Sequence, residues 1–155
     1  MRKSPRLTGY DYSRDGSYFL TICTRDRKPL LSQIVGADAH IGPQVKLTPI
    51  GRTVEHYLLR IPGLAAYVIM PNHIHLLLRL DSGSMKASSP TSVSSAVRSF
   101  KALATKAVGR SIWQIGFYDH IIRNEQDYDR HLQYIAENPA KWAQDEYYNQ
   151  GKWPG

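Results

Sequence analysis

A chain of 155 residues is long enough for one domain with one core and too short for a two-domain enzyme. Hydrophobic residues at 42% and charged residues at 21% exclude a chain that stays disordered on its own. Twenty Lys and Arg against 13 Asp and Glu leave a net charge of +7, which favours a polyanion, nucleic acid first, over an acidic protein surface.

The single cysteine, Cys23, has no partner for an internal disulfide or a CxxC zinc site, so a reducing cytoplasm is expected. No apolar run approaches the ~18–20 residues of a membrane span, and the N-terminus lacks the apolar stretch of a signal peptide. Neither a membrane location nor export by that route is expected.

Residues 1–17 read as a basic, turn-rich arm carrying Arg2, Lys3, Arg6 and Arg14. Tyr18 to Thr24 alternates by twos and is rich in aromatic and β-branched residues, which predicts a half-buried strand. Arg25 to Lys46 has no sustained period and contains Pro29, Gly36, Gly42 and Pro43, which predicts a loop. Thr48 is a candidate N-cap, with Pro49 at the first helical position. Apolar spacing at Ile50, Val54, Tyr57, Leu58 and Ile61 then predicts a helix stopped by Pro62-Gly63.

Leu64 to Met70 and His73 to Leu80 are apolar runs flanking Pro71-Asn72, which predicts an antiparallel hairpin. The Ser- and Gly-rich segment that follows predicts a flexible connection over 81–92. Val93, Val97, Phe100, Ala104 and Ala107 form one helical stripe, and Arg98, Lys101 and Thr105 a basic outer one. Phe117 to Ile122 predicts a short strand. Asn124 then caps a last helix with a core stripe of Tyr128, Leu132 and Ile135, ending at Asn138-Pro139. The order βαββαβ plus an extra C-terminal helix is that of a ferredoxin-like α+β domain, an antiparallel sheet with two helices on one face. Such a fold hosts many unrelated activities.

His73 and His75 are two apart on a predicted strand, so both imidazoles leave the same sheet face. They suit either one shared divalent ion or two hydrogen-bonded core histidines. Without further Cys, oxygen ligands would have to complete the shell, which suits Mg²⁺ or Mn²⁺. On the last helix Asp127, His131, Tyr134 and Asn138 gather on a polar face beside the core stripe. A phenol with a pKa of about 10 attacks poorly unless a metal polarises its target or a base takes its proton. On spacing alone Tyr134 reads as a packing residue like Tyr128, and Tyr118, on the preceding strand, is a rival for the nucleophile.

The stretches YVIMPNHIHLLL (67–78), GSYFLTICTRDR (16–27), FKALATKAVG (100–109) and FYDHIIRNEQDYDRHLQYIAENPAKW (117–142) together resemble the IS200-like single-tyrosine transposases, especially their REP-associated branch. The resemblance covers nearly the whole chain in order. It implies that His73 and His75 are the divalent-metal pair of the family's HUH motif (His, bulky apolar residue, His). It also implies that Asn138 supplies the third ligand and that Tyr134 is the nucleophile. The implied reaction is attack on a phosphodiester of single-stranded DNA near a hairpin or palindrome, leaving a 5′-phosphotyrosine and a free 3′-OH. A bacterial, nucleoid-associated protein is implied, as a monomer or as a homodimer that exchanges the tyrosine helix. Arg98, Lys101 and Lys106 on the second helix, Arg52 and Arg60 on the first, and Arg2, Lys3 and Arg6 of the arm could track the phosphates. Two other classes remain open: a nucleic-acid-binding module without catalysis, and a metal-dependent nuclease that uses water.

Overall fold

The computed structural model describes residues 16–36, 43–80 and 92–144. The expected arm, except for its last two residues, and the connection over 81–91 lie outside the described residues. Six strands and three α-helices follow in chain order: β1 (Gly16–Cys23), β2 (Ser32–Val35), β3 (Gln44–Leu47), α1 (Pro49–Leu58), β4 (Leu64–Met70), β5 (His73–Leu80), α2 (Ser92–Val108), β6 (Tyr118–Ile121) and α3 (Glu125–Glu137). The main sheet has the order β4-β5-β1-β6, and every neighbouring pair is antiparallel. This is the expected ferredoxin-like plan.

Alternation by twos along β1 and β5 decides what lies on each face. Tyr18, Leu20, Ile22, Ile74, Leu76 and Leu78 are fully buried and pack with Val54 and Leu58 of α1 and Val93, Val97, Phe100 and Ala104 of α2. Each fully buried aliphatic side chain contributes roughly 1.5–3 kcal/mol relative to exposure, so this layer supplies most of the apolar stabilisation. Ala107, expected on the α2 stripe, is exposed, and Val108 packs against the core instead. The 100° step per residue carries the stripe past Ala107 in the last turn.

The α1 boundary follows its cap. Thr48 is extended, and its hydroxyl accepts a hydrogen bond from the Gly51 N–H at 2.9 Å. The same hydroxyl donates to the carbonyls of Leu30 and Leu31, binding α1 to the segment before β2. The expected loop over 25–46 is not wholly irregular, because β2 and β3 pair within it as a small antiparallel hairpin. Four-residue strands are too short to show a period, yet Ile34 and Val45 pack onto the second core cluster, and Ser32 Oγ donates to the Ile69 carbonyl at 2.9 Å. No helix among the described residues is long and apolar enough to cross a membrane.

Gly51 lies at the closest approach of α1 to this segment, where a Cβ would sit 1.9 Å from the Leu31 carbonyl oxygen. That oxygen is backbone and already hydrogen-bonded to the Thr48 N–H, so it cannot swing aside. Gly51→Ala is expected to cost about 1–3 kcal/mol, as other overpacked sites do, despite alanine's better helix propensity. A urea titration checks it; unchanged or raised stability would contradict this packing.

Candidate active site

The second face of the sheet carries Phe19, Thr21 and Cys23 from β1, and His73, His75 and Leu77 from β5, by the same alternation. It is covered by α3 and by a short 3-10 helix, Pro139–Gln144, which brings Trp142 over His73 at 6.1 Å between ring centroids. Asn124 caps α3 as expected, its side chain accepting from the Asp127 N–H at 2.8 Å.

Of the expected α3 core stripe, Ile135 is buried and Tyr128 packs on the second core cluster, but Leu132 is 40% exposed. Asp127 and Asn138 are buried instead, and His131 is nearly so. The polar strip itself faces the sheet. It can do so because its members satisfy one another: His120 Nε2 lies 2.9 Å from Asp127 Oδ2, the Arg123 N–H donates to the same oxygen, and His131 Nδ1 lies 3.2 Å from Oδ1. The apolar-period rule ranks Leu132 above these residues because it cannot see partners supplied by β6.

His73 and His75 meet at 4.6 Å between centroids, and both are buried. Thr21 stands opposite His75 in the β1–β5 register, with its Oγ1 2.9 Å from His75 Nδ1. His73 Nδ1 lies 2.8 Å from Asn72 Oδ1. The Asn72 amide is oriented because its Nδ2 donates to the Arg27 carbonyl at 3.2 Å, so Oδ1 must accept from His73 Nδ1–H. Nε2 is therefore the nitrogen His73 would offer a metal. Burial, with smaller contributions from the charges of His75 and Arg27, holds His73 well below the usual histidine range, although the Asn138 side chain beside it works the other way. Burial also pushes His75 down to about 3, helped by His131. Both rings are consequently neutral near pH 7, the form that ligates metals.

The Asn138 side chain is hydrogen-bonded to the His73 ring, and His75 Nε2 is buried without a hydrogen bond. Buried polar atoms rarely go unmatched, so an imidazole nitrogen in this state, with an amide beside the pair, fits a cation better than a sealed core. The Tyr134 ring is 5.1 Å from His75 and 42% exposed, on the same chain. The structure thus brings His73, His75, Tyr134 and Asn138 together. Tyr118, opposite Thr21 on β6, lies on the same face.

The basic residues are not gathered there. Arg52 is on α1 and Arg98, Lys101 and Lys106 are on α2, the layer on the opposite side of the sheet, while Arg2, Lys3 and Arg6 lie outside the described residues. Lys101 differs from the expected phosphate-tracking role. Its ammonium donates to the carbonyls of Gln114 at 2.9 Å and Gly116 at 2.6 Å, tying down the loop before β6, and burial lowers its pKa. Sequence reasoning missed Asn72, Thr21 and Arg27 as neighbours of the histidines. Arg27 follows Asp26, and both hold positive φ (55° and 56°), a costly backbone state for non-glycine residues. Its signal in the sequence was limited to a place in the family-like stretch 16–27.

No protein-family model matches the chain. The geometry defines a ferredoxin-like protein whose paired strand histidines are met by a tyrosine-bearing helix. A Haemophilus influenzae protein provisionally named a REP-associated tyrosine transposase is 30% identical over 84% of this chain and 74% of its own length. The Escherichia coli REP-associated tyrosine transposase is 29% identical over 84% of this chain and 70% of its own. A solved structure of a REP-associated tyrosine transposase bound to a REP hairpin superposes with a TM-score of 0.67 at 27% identity, covering 99% of this chain and 81% of that one. The chain belongs to the REP-associated tyrosine transposase family.

Two stability predictions follow from the buried polar groups. Lys101→Met should cost about 1.5–3 kcal/mol, the range for hydrogen bonds to a charged group, while Lys106→Met, exposed on the same helix, should stay within about 0.5 kcal/mol. Urea titrations of both variants compare them directly. Burial would raise the Asp127 carboxyl, but the hydrogen bonds from His120 and the Arg123 N–H outweigh it and leave the pKa lowered. A carboxyl lowered in the folded state adds stability above its unfolded pKa of about 3.9 and loses it as pH falls through the folded value. Asp127→Asn should therefore cost about 1–3 kcal/mol at pH 7, with the gap to wild type closing below about pH 4. A gap that stays constant to pH 3 would show that the ionised carboxylate is not what stabilises.

Proposed function

We propose that this chain is a metal-dependent single-stranded DNA transesterase that cleaves and rejoins DNA at hairpin-associated sites. Tyr134 is its nucleophile, and His73, His75 and Asn138 are the ligands of Mg²⁺ or Mn²⁺. The observation that carries this reading is the half-exposed Tyr134 phenol ring beside the buried, neutral His73–His75 pair, with Asn138 one turn further on the same helix. Support for a hairpin partner comes from the similar transposase whose structure holds a REP hairpin.

When bound, the metal would supply Lewis-acid stabilisation of charge at the phosphate oxygens. The residues do the remainder. Thr21 and Asn72 fix the two imidazoles through Nδ1, so the ligand geometry exists before substrate arrives. The Tyr134 oxygen attacks phosphorus and gives up its proton, the bond from phosphorus to the 3′-oxygen breaks, and that oxygen takes a proton to become a 3′-OH. One phosphodiester is exchanged for another, so the reverse step rejoins the strand without an energy donor. Arg27, whose charge opposes protonation of His73, would pair with the phosphate in this reading. Within one chain Tyr134 reaches the histidines, an arrangement that supports action in cis.

Arg52, Arg98 and Lys106, on the opposite layer, act by long-range attraction and not at the reacting phosphate, and Arg2, Lys3 and Arg6 of the arm act on the flanking DNA. The place of action is the bacterial cytoplasm, on the nucleoid.

A hairpin oligonucleotide with a single-stranded flank, incubated with Mn²⁺ and run on a denaturing gel, should give a covalent protein–DNA adduct. EDTA, Tyr134→Phe, or His73→Ala with His75→Ala should each remove it. Tyr118→Phe and Tyr128→Phe should retain it. Cleavage without adduct would establish hydrolysis by water instead, and an intact bound strand would establish a binding module.

A further inference from the structure

A second group of metal-ligating side chains lies on the same face, outside the His73–His75 pair. His120 stands on β6, and Asp127 and His131 stand one turn apart on α3. One ligand atom from each falls within 4.8 Å of the other two. His120 Nε2 is 2.9 Å from Asp127 Oδ2, and His131 Nδ1 is 3.2 Å from Asp127 Oδ1. The two imidazoles stack at 4.6 Å with 23° between their planes.

Two other polar contacts would have to yield to an ion: the Arg123 N–H donates to Oδ2 at 3.1 Å, and His131 Nδ1 donates to the Asp127 carbonyl at 2.9 Å, a proton that a metal at Nδ1 would displace. Arg130, largely exposed, reaches Oδ1 only at 3.6 Å. Bonds of ~2.0–2.2 Å to a tetrahedral ion place ligand atoms about 3.4 Å apart, and the three groups already lie within 4.8 Å of one another. Two imidazoles and a carboxylate form a borderline ligand set that suits Zn²⁺ and similar transition ions and leaves a fourth position for water.

The trio also sits where α3 most needs an anchor. Among its residues only Asp127 and Ile135 are buried, so apolar packing holds the tyrosine helix weakly. Phe19 separates the trio from the first histidine pair, packing on His131 at 4.6 Å and on His75 at 5.1 Å.

We infer that His120, Asp127 and His131 form a second metal site, selective for a Zn²⁺-type transition ion, that clasps the tyrosine helix to β6. This goes beyond the proposed reaction and does not depend on Tyr134 being the nucleophile.

The test titrates the full-length chain, free of any histidine tag, with Co²⁺, reading visible absorption and stoichiometry by equilibrium dialysis. Wild type should bind two equivalents. His73→Ala with His75→Ala should retain one, with d–d bands, and Zn²⁺ should raise that variant's Tm. Adding Asp127→Asn should abolish the remaining equivalent. In the wild-type background, His120→Gln with His131→Gln should reduce two equivalents to one, which covers the case where loss of the first pair prevents folding. No Co²⁺ bound by a folded His73→Ala/His75→Ala variant, or stoichiometry unchanged by the glutamine pair, would overturn the inference and leave the trio a hydrogen-bonded clamp. None of these readouts uses DNA cleavage, so failure of the proposed reaction would be seen separately.

Discussion

Two imidazoles buried side by side between a sheet and a helix are the constraint on which the rest of this molecule turns. An ionised histidine there would forfeit its hydration, and a neutral one still needs its Nδ1 satisfied. The register of β1 against β5 meets that need by putting Thr21 opposite His75, and the hairpin turn meets it by presenting Asn72 to His73. A slip of one residue in that pairing would send the histidines into the α1–α2 core and Ile74 into the site. The apolar layer on the other face therefore does more than stabilise. By fixing which residues of β1 and β5 point inward, it fixes which point at the tyrosine helix.

The turn at Pro71-Asn72 is held from outside its own hairpin. The Leu31 N–H donates to the Pro71 carbonyl, and the Thr24 N–H and hydroxyl both reach the Asn72 carbonyl. Residues 24–31 thus act as a brace, and the positive-φ pair Asp26 and Arg27 is the cost of shaping it. In return the Arg27 carbonyl orients the Asn72 amide, which in turn settles the tautomer of His73. Backbone strain at one loop is converted into the protonation pattern of a buried ring some 46 positions further along the chain.

Much of the fold was readable from period and punctuation. Both strands of the central hairpin, the cap of α1 and the cap of α3 stand where Pro71-Asn72, Thr48-Pro49 and Asn124 place them. The His73–His75 face followed from alternation alone. Failures came where stability is non-local and polar. β2 and β3 are stabilised by Ile34 and Val45 resting on the second cluster, too short a pattern to register in sequence. Lys101 looked like a solvated cation because its acceptors, the Gln114 and Gly116 carbonyls, are brought to it only by the loop before β6. Tyr134 is undistinguished by spacing among ten tyrosines, and only the resemblance singled it out before the structure placed it beside His75.

The polar groups on the inward face of α3 have a consequence for how the proposed nucleophile can be held. An apolar seam through Leu132 would dock the helix firmly but seal Tyr134's surroundings from a charged substrate. With Leu132 outward and Asp127, His131 and Asn138 inward, the helix is retained by paired polar groups, and the phenol stays exposed at the rim of the site. Such docking is strong only while every partner is satisfied, since a half-satisfied buried network costs more than an apolar one. The tyrosine helix is thus the element whose attachment responds most to local charge, whereas the β1–β5 ladder beneath it is insulated by an apolar core. A rigid floor carrying the histidines and a polar-docked helix carrying the tyrosine is a division suited to the proposed strand-transfer reaction. In that proposal the ligand geometry must persist while the residue bonded to DNA accommodates both the leaving and the returning strand.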